Sequence, residues 1–157
     1  MDWTLLKPAA DDGALCDILV FDATETDWQR VIDALRNWTP LPIYKRNGQV
    51  LPLPDQVSNL LADPEGGHLL AVTANGVTFN CHFFDRDQIE FDIDPREVTD
   101  TGKAEVVSAF MALLGETTGK MVFLNEEGGL REAAIGRWLP QTGQVVWMPP
   151  HPYISPR

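Results

Sequence analysis

The sequence has 157 residues, of which 44% are apolar and 22% charged, a composition typical of one folded domain and unlike that of a disordered chain. Its 23 acidic residues outnumber 12 lysines and arginines, giving a formal net charge of -11. Such a surface repels phosphates and anionic lipids, so we expect no nucleic acid or membrane partner, and basic proteins are favoured instead. Without a long apolar run or a signal peptide, the expected location is cytoplasmic.

The first predicted elements are a strand and a helix. After a loose start over residues 1–14, the apolar run Asp17–Phe21 predicts a largely buried strand. Thr26 and Gln29 have the spacing of a capping box, which predicts a helix that ends before Pro40. Its apolar face consists of Trp28, Val31, Ile32 and Leu35.

Two Asn-Gly pairs, at positions 47–48 and 75–76, predict tight hairpins, because both residue types tolerate the positive φ of such turns. A short helix that begins at Pro54 and carries Val57, Leu60 and Leu61 is predicted between them. The strands joined by these turns are predicted at Ile43–Arg46, Gln49–Leu51, Leu69–Ala74 and Val77–Phe84.

A third strand at Gln88–Asp94 follows the second hairpin, so that residues 69–94 form a three-stranded antiparallel meander. A helix is predicted from Lys103 to Gly115 or Gly119, followed by a strand at 120–124. An acidic loop at 125–132 that looks mobile comes next, then a hairpin of 134–139 with 144–148 and a loose end at 149–157. Together they predict one α+β domain spanning 1–157, a two-layer sandwich of a mainly antiparallel sheet and about three helices.

A three-residue turn after Phe84 fixes the register of this meander: His82 then faces Glu90, and Asn80 faces Asp92. Side chains alternate along a strand, so one face of the meander is predicted to be polar and the other apolar. The polar face carries Asn80, His82, Glu90, Asp92 and Asp94, and the apolar face carries Phe79, Cys81, Phe83, Ile89, Phe91 and Ile93.

His82, Glu90 and Asp92 have the residue types of an acid/base pair or of a divalent metal site. The same residues also form an ordinary stabilising pair on a solvated sheet. Since the chain has no common catalytic, zinc or nucleotide-binding motif, we expect no catalytic residue, no metal and no cofactor. Cys16 and Cys81 are expected to be reduced core thiols.

Trp138 lies in the last hairpin, near the acids Glu126 and Glu127. Aromatic and acidic side chains together suit a cationic partner surface. Alternatively, Trp138 and Trp147 cover the open end of a core.

The segments Asn80–Phe84 and Ile89–Glu97, with the following helix to Leu114 and strand Met121–Leu124, resemble small acidic bacterial proteins. Some of these are immunity proteins encoded beside polymorphic or contact-delivered toxins. The resemblance covers roughly the middle third of the chain. It implies an antitoxin that binds a toxin and occludes its active site, and it carries over no individual binding residue.

Three hypotheses follow. The first is a non-enzymatic immunity or antitoxin protein that neutralises a cognate basic toxin. The second is a metal-dependent or acid/base enzyme that uses His82, Glu90 and Asp92. The third is an oligomeric structural module closed by the Trp138/Trp147 hairpin; the oligomeric state and the partner are left open. The partner-binding residues expected under the first are Asn80, His82, Glu90, Asp92, Asp94, Glu126, Glu127 and Trp138.

Overall fold

A computed structural model describes residues 2–129 and 131–148, and in it nine strands form a single antiparallel sheet. From edge to edge the strand order is β3-β2-β4-β5-β6-β1-β7-β8-β9. The strands are β1 Cys16–Val20, β2 Ile43–Arg46, β3 Gln49–Leu51, β4 His68–Ala74, β5 Val77–Cys81, β6 Ile89–Ile93, β7 Val122–Glu126, β8 Gly136–Leu139 and β9 Gln144–Trp147. The expected loose end at 149–157 lies outside the described residues.

Four α-helices are found in the described part of the chain, and all of them contribute buried side chains to one main core on one face of the sheet. The predicted α+β class and the central meander β4-β5-β6 are confirmed. The helices are α1 Lys7–Asp12, α2 Glu25–Leu35, α3 Ser58–Leu61 and α4 Thr101–Thr118, with 3₁₀ turns at Trp3–Leu6, Pro95–Glu97 and Arg131–Ala133.

The prediction of a loose start was wrong, because residues 3–12 are helical and bury Leu6 and Ala9 in the main core. Isolated helices this short are not stable in water, so this segment depends on its apolar contacts rather than on helix propensity. Two buried side chains in so short a segment were too weak a pattern to recognise.

The predicted capping box of α2 was placed two residues too late. Thr24, in an extended conformation, caps the helix: its hydroxyl accepts the backbone N–H of Asp27, and the Asp27 carboxylate accepts the N–H of Thr24. The Asp27 carboxylate also contacts Lys120 Nζ at 2.6 Å, which ties the start of α2 to the segment before β7. The predicted apolar face of α2 is fully buried.

α4 is the longest helix and crosses the sheet, with contacts to β1, β5, β7, β8 and β9. Its start is capped by Asp100, which accepts the N–H of Lys103, and its end by Gly119 at φ 70°. Inside the helix, Gly115 lies against the Trp138 ring of β8. A small residue here lets helix and sheet approach closely.

The chain enters the sheet at its centre, since β1 lies between β6 and β7. Both Asn-Gly hairpins and the last hairpin form as predicted, but no local pattern specified this long-range insertion. It matters for the site because it places the polar residue of β1 beside those of β6.

Candidate functional site

The face of the sheet opposite the main core carries a row of polar side chains across four central strands. Asn80 on β5 pairs with Asp92 on β6, Asp92 lies opposite Asp17 on β1, and Asp17 lies opposite Asn125 on β7. Paired positions in an antiparallel sheet point to the same face. We call Asp17, Glu90 and Asp92 the acidic row.

The predicted pairing of Asn80 with Asp92 is confirmed, but His82 does not pair with Glu90 as predicted. Regular β5 structure ends at Cys81, and Phe83 adopts φ 58°, so the chain leaves the register before the expected turn. The imidazole Nε2 of His82 lies 3.4 Å from the Asp92 carboxylate. Glu90 instead lies opposite Leu19 of β1 and contacts Gln88 at 3.4 Å.

Partial burial makes the acidic row easier to protonate than ordinary carboxylates. Burial raises the pKa of Asp17 to about 7, and the charges of Glu90, Glu127 and Asp92 add to the rise. Burial also raises the pKa of Glu90, as does the charge of Asp92. Burial raises the pKa of Asp92 as well, although the nearby His82 acts in the opposite direction. Three carboxyl groups therefore share a surface on which a cation would stabilise their charged forms.

Asp17 is the residue that sequence reasoning missed. The sequence places it in a largely buried strand, and no local pattern predicts which residues lie beside it across the sheet. The only available signal was a single acid in an apolar run, which suits a strand with one face outside the core. Cys16, its neighbour, is a buried free thiol, and so is Cys81, as expected.

The other expected site residues are spread over different surfaces. Asp94 follows β6 and is held by Arg96, whose side chain contacts the carboxylate at 2.8–3.1 Å; these hydrogen bonds lower the pKa of Asp94. Glu126 pairs with Cys16, a core-face position, so it does not join the acidic row. Glu127 is exposed and near enough to raise the pKa of Asp17. Trp138 is buried, so its side chain is not presented to a partner.

Residues on either side of position 130 in the acidic loop expected over 125–132 contact the open face beside β1, and position 130 itself lies outside the described residues. Asn125 belongs to β7 and is buried, and the backbone of Gly128 donates a hydrogen bond to Asp17. Farther along, the guanidinium of Arg131 lies 3.9 Å from the centre of the Phe21 ring. This segment therefore forms one wall of the acidic row.

A second polar cluster lies at the β2 and β4 end of the sheet. The Tyr44 hydroxyl contacts His68 Nδ1 at 2.6 Å, and His68 Nε2 contacts Asp63 at 2.9 Å. Asp63 is also paired with Arg46 at 2.8 Å. The two partners of His68 come from β2 and from the loop before β4. Beside it, a pocket of about 420 Å³ lies between residues 63–69 and 82–84.

The acidic row and His82 could exchange protons with a bound group, since Asp17 and Asp92 lie on adjoining strands and the His82 imidazole, just after β5, contacts Asp92. Among the described residues, no group of three or more His, Cys, Asp or Glu side chains is arranged to hold a metal ion. Within the same residues, no helix is long and apolar enough to cross a membrane. Compared with protein-family models, curated proteins and solved structures, the chain matches none.

Proposed function

We propose that this protein is a non-enzymatic binding protein of the immunity or antitoxin kind, which neutralises a basic protein toxin by docking the open face of its sheet on it. The observation that carries the proposal is the acidic row. Asp17, Glu90 and Asp92 lie together on the face opposite the main core, in a chain with net charge -11.

The acidic row is only partly solvated, which favours binding over a purely solubilising role. Carboxylates that are spread over a solvated surface keep ordinary pKa values, whereas burial raises those of all three residues of the row. Their mutual repulsion is relieved when a cationic group is bound between them. A basic partner would gain this relief in addition to long-range attraction and fast association.

Exposed apolar side chains continue the same face toward the β3 edge. Ile43 pairs with Ala71, which pairs with Asn80, so Ile43 lies in register with Asp92 and is 51% exposed. Val50, opposite Lys45, is 64% exposed. Apolar contacts next to charged groups are the composition expected of a protein interface. The face therefore offers apolar area for affinity and carboxylates for selectivity.

The test is co-purification with the product of the adjacent gene, followed by affinity measurements on the double variant Glu90→Lys/Asp92→Lys. We expect affinity to fall at least about tenfold in the variant. For the unmodified protein, we expect it to fall as NaCl rises from about 50 to about 500 mM.

A matched control is the double variant Glu105→Lys/Glu116→Lys, which makes the same change in net charge at exposed positions of α4. It should retain most of the affinity. Equal losses in both double variants would mean that net charge, and not the acidic row, drives binding. Full affinity in Glu90→Lys/Asp92→Lys would remove the site from the proposal.

A second candidate is an acid/base enzyme. It is favoured by the pKa of about 7 at Asp17 together with the 3.4 Å contact between His82 and Asp92. Calorimetric titration with Zn²⁺, Mn²⁺ and Mg²⁺ tests its metal-dependent form. Absence of binding at about millimolar metal would remove that form.

A further inference from the structure

The pocket between residues 63–69 and 82–84 forms where β5 separates from β4. The β4–β5 ladder ends at the pair Leu70–Cys81, and the next positions, Leu69 and His82, both line the pocket. Phe83, with φ 58°, turns its side chain into the core, while Phe84 is 73% exposed. A left-handed conformation is rare for a large aromatic residue and costs on the order of 1–3 kcal/mol, as found at functional sites.

The opposite wall of the pocket is held in place by hydrogen bonds. Asp63 accepts the backbone N–H of Glu65 at 3.0 Å, and its other oxygen contacts Arg46 and His68. Because an ionised carboxylate can only accept, we assign the His68 proton to Nε2, and Nδ1 then accepts from the Tyr44 hydroxyl. The charge of Asp63 is thus already compensated within the protein. The wall requires no ligand to keep its shape.

Glu65 is held more loosely at the pocket than Asp63, through an ion pair with Arg46 and no hydrogen bond to it. Its side chain is 82% exposed, and its distance to Arg46 is 3.8 Å, too long for a hydrogen bond. On the facing wall, the rings of Phe84 and His82 stack with centres 5.0 Å apart and planes 9° apart. The pocket therefore combines a flat aromatic surface with a carboxylate, and His82 connects it to Asp92 of the acidic row.

We propose that this pocket receives an arginine side chain of the basic partner, with the guanidinium stacked on Phe84 and paired with Glu65. This inference rests on the proposed function of the acidic row and names the residue type that the partner inserts beside it. A guanidinium is planar, weakly hydrated and able to pair with a carboxylate while it stacks on a ring. Lysine offers only a compact, strongly hydrated charge, so arginine is the better fit.

The experiment titrates the full chain with acetyl-Gly-Arg-Gly-amide and follows amide chemical shifts by NMR. We expect shifts at Gly66, Gly67 and Phe84, with a dissociation constant of about 1–10 mM for this single contact. The citrulline peptide has nearly the same shape without the charge and should cause no saturable shift. The lysine peptide should bind at least about threefold more weakly.

Two variants test the proposed contacts. Phe84→Ala and Glu65→Gln should each weaken binding of the arginine peptide at least about fivefold. Val146→Ala, at an exposed position on the far edge strand β9, is the matched control and should bind as the unmodified protein does. An equal response to citrulline, or unchanged affinity in Phe84→Ala, would overturn the inference.

The peptide experiment is independent of the toxin, so the two proposals can fail separately. If the arginine peptide does not bind but Glu90→Lys/Asp92→Lys still weakens partner capture, only the arginine pocket is wrong. If the peptide binds as expected but the charge reversal leaves capture unchanged, the acidic row is wrong as the docking site. In that case the pocket stands as an arginine-binding site, while its role beside the row is overturned.

Discussion

Asp17 on β1 lies directly opposite Asp92 on β6, so two carboxylates occupy neighbouring positions on the open face of the sheet. Like charges at directly opposed positions destabilise a sheet. The chain nevertheless has this pair at the centre of the sheet, where β1 lies beside β6, the last strand of the meander. A partner that supplies positive charge would turn this local cost into a contribution to binding.

Replacing Asp17 with Asn should therefore stabilise the unbound protein. The pKa of Asp17 is raised from 3.8 to about 7, chiefly by burial, so the folded state holds the proton more tightly than the unfolded state. The contribution of this group to stability accordingly falls as pH rises from about 4 to 7 and is least favourable above 7. Allowing for partial solvent exposure, we expect Asp17→Asn to gain about 1 kcal/mol at pH 8 and almost nothing near pH 4.

Urea unfolding at both pH values measures this difference. Asp55→Asn, a change at an exposed position, is the control and should alter stability by less than about 0.5 kcal/mol at either pH. A gain for Asp17→Asn that is the same at both pH values would contradict the assigned pKa.

The network around His68 should make this residue far more sensitive to substitution than His82. His68→Phe keeps an aromatic ring but leaves the buried Tyr44 hydroxyl and the Asp63 carboxylate without their imidazole partner. We expect a loss of about 2–3 kcal/mol in unfolding free energy and faster amide exchange at Gly66 and Gly67. The same change at half-exposed His82 is the control, with an expected loss below about 1 kcal/mol.

Local features of the fold were predictable because their signals act over a few residues. The Asn47-Gly48 and Asn75-Gly76 turns fix their hairpins, and alternation along Ile89–Ile93 identifies its buried face. The insertion of β1 beside β6 could not be predicted, since it depends on contacts between residues about 75 positions apart. The acidic row was for this reason predicted without Asp17.

The error at His82 has a different cause. The predicted register requires β5 to continue to Phe84, but Phe83 adopts a positive φ that nothing in its residue type favours. Core contacts of Phe83 with Trp28 and His68 accompany this conformation, and both partners are distant in sequence. Strain set by tertiary contacts leaves no local pattern, so the pocket beside His82 was also missed.

Gly115→Ala should destabilise the protein although alanine favours helices. A Cβ at this position would lie 2.1 Å from a ring carbon of the buried Trp138. The helix or the strand would have to move, and we expect a loss of about 2–3 kcal/mol with a changed near-ultraviolet dichroism of tryptophan. Gly102→Ala in the same helix is the control, because its nearest neighbour would be 3.4 Å away. Its effect should lie between neutral and a gain of about 1 kcal/mol.

Asp27→Asn should destabilise the protein at neutral pH and have little effect in acid. Burial alone would raise the pKa of Asp27, but hydrogen bonds from Lys120 and Thr24 and the charge of Lys120 outweigh it and lower the pKa. A lowered folded-state pKa gives stability that is present above the unfolded value of 3.8 and is lost as pH falls through the folded value.

Asparagine can still accept the N–H of Thr24, so the variant removes the charge and keeps the cap. We expect a loss of about 1–2 kcal/mol at pH 7 that shrinks as pH falls below the unfolded value of 3.8, measured by urea unfolding. Asp33→Asn, on the exposed side of the same helix, is the control and should lower the free energy of unfolding by less than about 0.5 kcal/mol. A loss for Asp27→Asn that does not change with pH would show that the shape of the side chain, and not its charge, holds α2 to Lys120.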